Sequence, residues 1–434
     1  MIIDFTVSNF RSIKNEQIFS LYAETPGSYL LSNIAYPPGD KVGVLKSAGL
    51  YGANASGKSN LLLAFHALQF IIVGSDDLKE GDEIPCYEPY LLSEESKSSP
   101  TRFEIEFYAP SPDLSQNGNV RYRYSVAFTA HRIIEENLVF YPSGQEALVF
   151  DRKGNDTWQT IRFGSLYKGG KKRLPFFENN AYISKAGDSA DSPQMIRNVY
   201  NYFRKNLHHI GINERKVKLN WFEEPMLVEK VSALLSLVDT GIANIRFQES
   251  GDSSDINIPD GIPEEIKMRI LKDIKNKPFF AHLTDTDKNE YFEEAQESSG
   301  TRKLFNLAPI FIDILSSGGV LIMDELDNSM HPFIAELIIK LFNDPKVNKG
   351  NAQLIFSTHN INLMSPELLR RDQIWLTEKY EGVTRFFSLD DFDKKKVKPQ
   401  SPFNQWYAEG RFGGIPAINY QGIVDLFQSG DANA

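Results

Sequence analysis

The stretch GANASGKS, residues 52–59, decides how this chain is read. It is the full pattern G-x-x-x-x-G-K-[ST]. VLKSAGLYG (44–52) leads into it with the composition of a strand, and NLLLAFHALQFII (60–72) follows as a mostly apolar helix. Strand, glycine loop and helix in this order make a phosphate cradle. Gly52 and Gly57 let the backbone fold closely, so that N–H groups along Asn54, Ala55, Ser56, Gly57 and Asn60 face phosphate oxygens, and the helix N-terminus adds its partial positive charge. Lys58 is placed to pair the β- and γ-phosphates of ATP, and the Ser59 hydroxyl to hold Mg²⁺.

A second stretch, LIMDELDNSMHP (321–332), ends an apolar run in Asp324-Glu325. Adjacent acids at a buried strand end need a positive partner, and alone they read as a solvated strand end. Coupled to the loop at 52, Asp324 becomes a Mg²⁺ ligand and Glu325 the acceptor of a proton from the attacking water. Between the two lies ESSGTRKL (297–304), a small-residue turn opening the apolar helix FNLAPIFIDIL. Its Ser298 and Gly300 stand where the serine and second glycine of an ABC signature stand. A helix N-terminus there serves a γ-phosphate held by a neighbouring copy. Finally LIFSTHN (354–360) brings His359 to a strand end, placed to orient the water; a lone histidine is otherwise structural.

With NFRSI, GANASGKS, ESSGT, LIMDELD and STHN in this order, the sequence resembles the ABC-type ATPases of the SMC and RecF kind. Among them it is most similar to compact bacterial ATPases related to the overcoming-lysogenization-defect (OLD) nucleases. RRDQIWLTEKYEG (370–382) and GRFGGIP (410–416) also look like that group. The resemblance implies an α/β ABC-type head with a mixed sheet, an antiparallel β arm and an inserted lobe. It also implies a phage-defence or abortive-infection setting, in which the ATPase answers a phage protein and is paired with a nuclease, as in PARIS-type systems with a Toprim-family partner. Thr301 stands where many transporters carry glutamine. The family's glutamine loop has no assigned residue here; Gln116, Gln145 and Gln159 all lack a strand-end context.

The remaining sequence bounds these expectations. With 434 residues, two lobes are expected. No run of about 18 apolar residues offers a membrane span, and MIIDFTVSNFRS reads as a first strand rather than a signal peptide. One cysteine, Cys86, excludes an intrachain disulfide framework and fits a reducing cytoplasm. A net charge of −10 confines any nucleic-acid contact to a local patch; KGGKKR (168–173) and RKNLHHIGINERKVK (204–218) are the candidates, with solvated faces as the bland alternative. Alternation in FEIEF and YRYSVAF gives half-exposed strands of an antiparallel arm. Arg11 and Lys14 are read equally as nucleotide neighbours and surface residues, and His208-His209 as packing.

The expected division is 1–185 for the first half of the ATPase, 186–276 for an inserted helical lobe, and 277–434 for the second half. No sustained heptads appear, so no long coiled coil is expected. Residues 277–295 read as a hairpin, with Asp285 and Asp287 in a polar turn rather than a nuclease metal pair. About 75 residues after STHN are too few for a Toprim domain and tail, which places a nuclease on a separate chain. Two functions compete. One is an ATP-hydrolysing sensor and scaffold of a defence system controlling that effector; the alternative is a RecF/SMC-like DNA-repair clamp. A GTP switch ranks last, since N-K-x-D is missing. A dimer is the minimal unit, and a larger ring stays open.

Overall fold

The computed structural model describes residues 1–24, 29–37, 41–111, 118–142, 144–211, 218–238, 240–249, 263–416 and 418–430. Gln116 and residues 212–217 of the second basic run lie outside them.

The nucleotide sheet has six strands, in the order Leu207–Ile210, Val320–Met323, Gln353–Ser357, Ser47–Gly52, Ile374–Tyr380 and Val383–Ser388. The first five run parallel and the last pairs antiparallel on the edge. Both faces are covered, which is why the central strands are buried at every position instead of alternating. Helix Lys58–Val73 covers one face. Its Leu61, Ala64, Phe65 and Leu68 are fully buried, and Phe65 meets Phe5 with ring centroids 4.1 Å apart. Phe5 belongs to a second sheet of seven strands with neighbours paired antiparallel, running from Arg162–Phe163 at one edge to Ile2–Ser8 and Gln17–Ser20 at the other. The expected strands FEIEF and YRYSVAF are Thr101–Pro110 and Asn119–Phe128 within it. The phosphate-loop helix is thus sandwiched between the nucleotide sheet and the β arm.

The other face of the nucleotide sheet carries helices Ser299–Ser317 and Pro332–Asn343. Against the first of these sits a lobe made of helix Pro225–Leu237 and a three-stranded antiparallel sheet, Ile242–Glu249, Asn276–Leu283 and Asn289–Glu293. Trp221, Val231, Leu235 and Phe280 of the lobe share a core with Phe305 and Ala308. The stretch 186–276, read from sequence as helical, holds more than helices. Helix Gln194–Asn206 packs beside the phosphate-loop helix, where Gln69 donates to the Phe203 and Leu207 carbonyls, and Leu207–Ile210 is an edge strand of the nucleotide sheet. Asp285 and Asp287 fall in the turn of the last hairpin, closed by Thr284 N–H donating to the Lys288 carbonyl.

The architecture is therefore mixed α/β with several sheets and helical lobes. Among the described residues the longest helix, Ser299–Ser317, has 19 residues, far short of a coiled-coil arm. None of the described helices is long and apolar enough to cross a membrane.

Candidate nucleotide site

Three neighbouring parallel strands end on the same edge, and each hands over to one part of the candidate site. Ser47–Gly52 leads into the glycine loop, Gln353–Ser357 into Thr358 and His359, and Val320–Met323 into Asp324 and Glu325. Ligands of open parallel sheets bind outside such carboxyl ends.

The loop is shaped by what lies behind it. Gly52 and Gly57 have φ of 151° and 109°, and a Cβ on either would collide with the next strands, 2.4 Å from the Thr377 carbonyl oxygen and 2.3 Å from Thr384 Oγ1. These two glycines are required by close approach as well as by conformation. Thr384 Oγ1 donates to the Ser56 carbonyl, Ser56 Oγ bonds Thr377 Oγ1, and Ala53 N–H donates to the Gly414 carbonyl. The loop is thereby pinned to the C-terminal part of the chain, leaving Asn54 and Ala55 exposed at its rim.

Lys58 is buried, and its Nζ donates to the carbonyls of Gly52 (2.8 Å) and Ala53 (3.1 Å). Burial lowers its proton affinity, and the carboxylates of Asp324, Glu325 and Asp327 push it back up. An ammonium held inside a loop of glycine backbone, facing three carboxylates, fits a phosphate with its divalent ion between the two charge sets. Among the described residues no group of three His, Cys, Asp or Glu could hold a metal without such a ligand. Mg²⁺ keeps few protein ligands and shares phosphate oxygens, so the residues fit it.

Asp324 accepts a hydrogen bond from Ser357 Oγ, and the same hydroxyl accepts from Glu325 N–H at 2.8 Å. Glu325 has φ of 52°, in the left-handed region, and its Oε1 lies 3.8 Å from His359 Nε2. Asp327 accepts from Thr358 Oγ1 at 2.5 Å. Ser59 and Asn60 are half-buried at the helix start; Asn60 Nδ2 donates to Ser12 Oγ, and Arg11 reaches Asn60 Oδ1 at 3.4 Å while pairing with Glu88.

Ser298 caps helix Ser299–Ser317, accepting from Thr301 N–H at 3.1 Å. It is exposed, and Gly300 abuts the segment after the acidic strand, where a Cβ would lie 3.0 Å from the Ser329 carbonyl. Among the described residues no hydrogen bond or ion pair joins Ser298 or Gly300 to residues 52–60. Sequence reading did not find Ser12, Thr377, Thr384, Gly414 or Lys303. Ser12, Lys303, Thr377 and Gly414 lie in quoted motifs, but each contacts another element, 25 positions away for Lys303 and more than 300 for the others, and leaves no local spacing to detect. Cys86, partly buried against the core, lies near the Ala67 carbonyl, and burial pushes its thiol up to about 12, as for an inert cysteine.

Residues 47–365 match the family described as "AAA domain, putative AbiEii toxin, Type IV TA system", and the chain belongs to that family. No curated protein matches it. Among solved structures it is similar to the SMC head domain from Thermotoga maritima, with 11% identity over 89% of this chain and 98% of that chain and a TM-score of 0.39. A second similar structure is an SmcHead bound to the C-winged helix domain of ScpA, with 14% identity, 91% and 99% coverage and a TM-score of 0.41. The matched span contains the glycine loop, Ser298, Asp324, Glu325 and His359. Membership makes this an AAA-type, nucleotide-binding class of domain and links it to toxin systems.

Proposed function

We propose that the chain is an ATP-hydrolysing switch whose closed state is two copies sharing nucleotide. The observation that carries this reading is the gathering of Lys58, Asp324, Glu325 and His359 at the carboxyl ends of three adjacent strands, around a glycine loop that no larger residue could form. Lys58 and the N–H groups of residues 54–60 bind the phosphates, with Ser59 and Asp324 as the residues that would hold Mg²⁺. When bound, the ion offsets charge on the phosphate oxygens. Glu325 accepts the proton of the attacking water and His359 orients that water from beside it. The exposed Ser298 and the half-buried Gly300, at a helix N-terminus of their own, engage the nucleotide of the second copy.

Phosphate release with ATP and Mg²⁺ tests this. Lys58→Ala loses nucleotide binding, whereas Glu325→Gln binds ATP and does not turn it over. Wild-type turnover by Glu325→Gln would remove Glu325 from the role of base.

The partner has two readings. In a DNA-maintenance clamp, the closed pair holds duplex, and the exposed Lys168, Lys171 and Arg173 supply a local basic patch on an otherwise acidic chain. In a defence system, the closed pair controls a separate toxic effector such as a nuclease, which the family's toxin-system description supports. Retention on the Glu325→Gln chain with ATP, against Lys58→Ala, separates them. Salt-sensitive capture of duplex DNA selects the clamp, and ATP-dependent capture of a nuclease selects the effector.

A further inference from the structure

Lys303 joins the signature helix to the turn that carries Glu325 within one chain. Lys303 lies in the early part of helix Ser299–Ser317 and is half-buried. Its Nζ donates to the Asn328 carbonyl at 2.6 Å. Asn328 N–H in turn donates to the Glu325 carbonyl at 2.9 Å, so two hydrogen bonds lead from the signature helix to the backbone of the candidate base.

The same turn is held from its other side. Asp327 accepts from Thr358 Oγ1, and Thr358 N–H donates to the Leu50 carbonyl at 3.1 Å, on the strand that feeds the glycine loop. Gly300 lies so close to Ser329 that a Cβ on it would be 3.0 Å from the Ser329 carbonyl oxygen, which places the signature directly beside this turn. Burial lowers the proton affinity of Lys303, and Asp327 and Glu325 raise it. A helix needing only packing at this position would be served by an apolar side chain. A cation there answers the two carboxylates and has a long stem that can follow a moving helix.

We propose that Lys303 is a positioning residue that ties the Glu325 turn to the signature helix, so that engagement of the signature by a second copy's nucleotide sets the base of the first. It makes hydrolysis at one site answer to occupancy of the other. The proposal rests on the ATP-switch reading above.

The test compares wild type, Lys303→Met and Lys303→Arg by steady-state ATP hydrolysis and by binding of a fluorescent ATP analogue. Wild-type turnover that Lys58→Ala abolishes first secures the underlying reading; a wild-type chain silent towards ATP overturns both. Against active wild type, Lys303→Met is expected to bind nucleotide with its affinity and KM unchanged while kcat falls about ten- to hundred-fold, as for a misplaced catalytic group. Lys303→Arg is expected to restore most of kcat. Undiminished kcat in Lys303→Met overturns the proposal. So does a loss of nucleotide binding that parallels the loss of kcat, since that marks a damaged fold and not a misplaced base. The Glu325→Gln, Lys303→Met double variant should still pair on ATP, because closing does not require the base to be set.

Discussion

Glu325 holds the left-handed backbone conformation, with φ of 52°, at the point where the acidic strand turns away from the sheet. A residue with a Cβ is disfavoured there by about 1 kcal/mol. The turn keeps it because Glu325 N–H is bonded to Ser357 Oγ and its carbonyl to Asn328 N–H, which together aim the carboxylate at His359. Strain of this kind gathers at functional positions. Glu325→Gly should therefore unfold at higher urea than Glu325→Ala, by about 1 kcal/mol, while both lack turnover. Equal stabilities would show that the turn imposes no cost on its glutamate. At this scale the sequence was informative where chemistry is local. Lys58 and Ser59 follow from one octapeptide, and Asp324-Glu325 from the end of one apolar run. Lys303 and Thr384 were invisible because each acts through a partner on another element: Asn328 for the one, the Ser56 carbonyl for the other.

The two large sheets are fastened to each other by elements that share single buried side chains. Gln353 opens the strand that leads to His359 and is fully buried. Its Oε1 accepts from Ile2 N–H at 2.6 Å, and its Nε2 donates to the carbonyls of Ile2 and Leu45 at 2.8 and 2.9 Å. One amide thus satisfies backbone groups on the first strand of the β arm and beside the phosphate-loop strand. Gln353→Leu leaves these groups buried and unpaired, and is expected to lower unfolding free energy by about 3 kcal/mol, read from a shifted denaturant midpoint. A change below about 0.5 kcal/mol would mean that the two sheets are held by packing alone. Elements with strong alternation, such as the two long arm strands, were legible. Leu207–Ile210 was hidden inside a basic run, and Ile242–Glu249 forms a sheet only with a strand beginning at Asn276. In both, long-range pairing outweighs local composition.

For the whole molecule, the lobe is mounted on the signature helix through Trp221, Leu235 and Phe305, so the helix proposed above to meet a second copy is also the one that carries the lobe. Light scattering should find Glu325→Gln at about twice the 49.2 kDa chain mass with ATP and Mg²⁺, and at the single mass without them. Adding Ser298→Arg should hold it at the single mass, because the new side chain obstructs the second copy's nucleotide. A nucleotide-independent dimer would place the contact elsewhere. The bond from Ala53 N–H to the Gly414 carbonyl has a last consequence, for synthesis. The segment that fastens the start of the phosphate loop is made 355 residues after Ser59. At ordinary elongation rates that is a delay of about 20 to 70 seconds. Throughout it, the nascent chain has its glycine loop but not the brace behind it, so the loop is set only once the residues around Gly414 have been made.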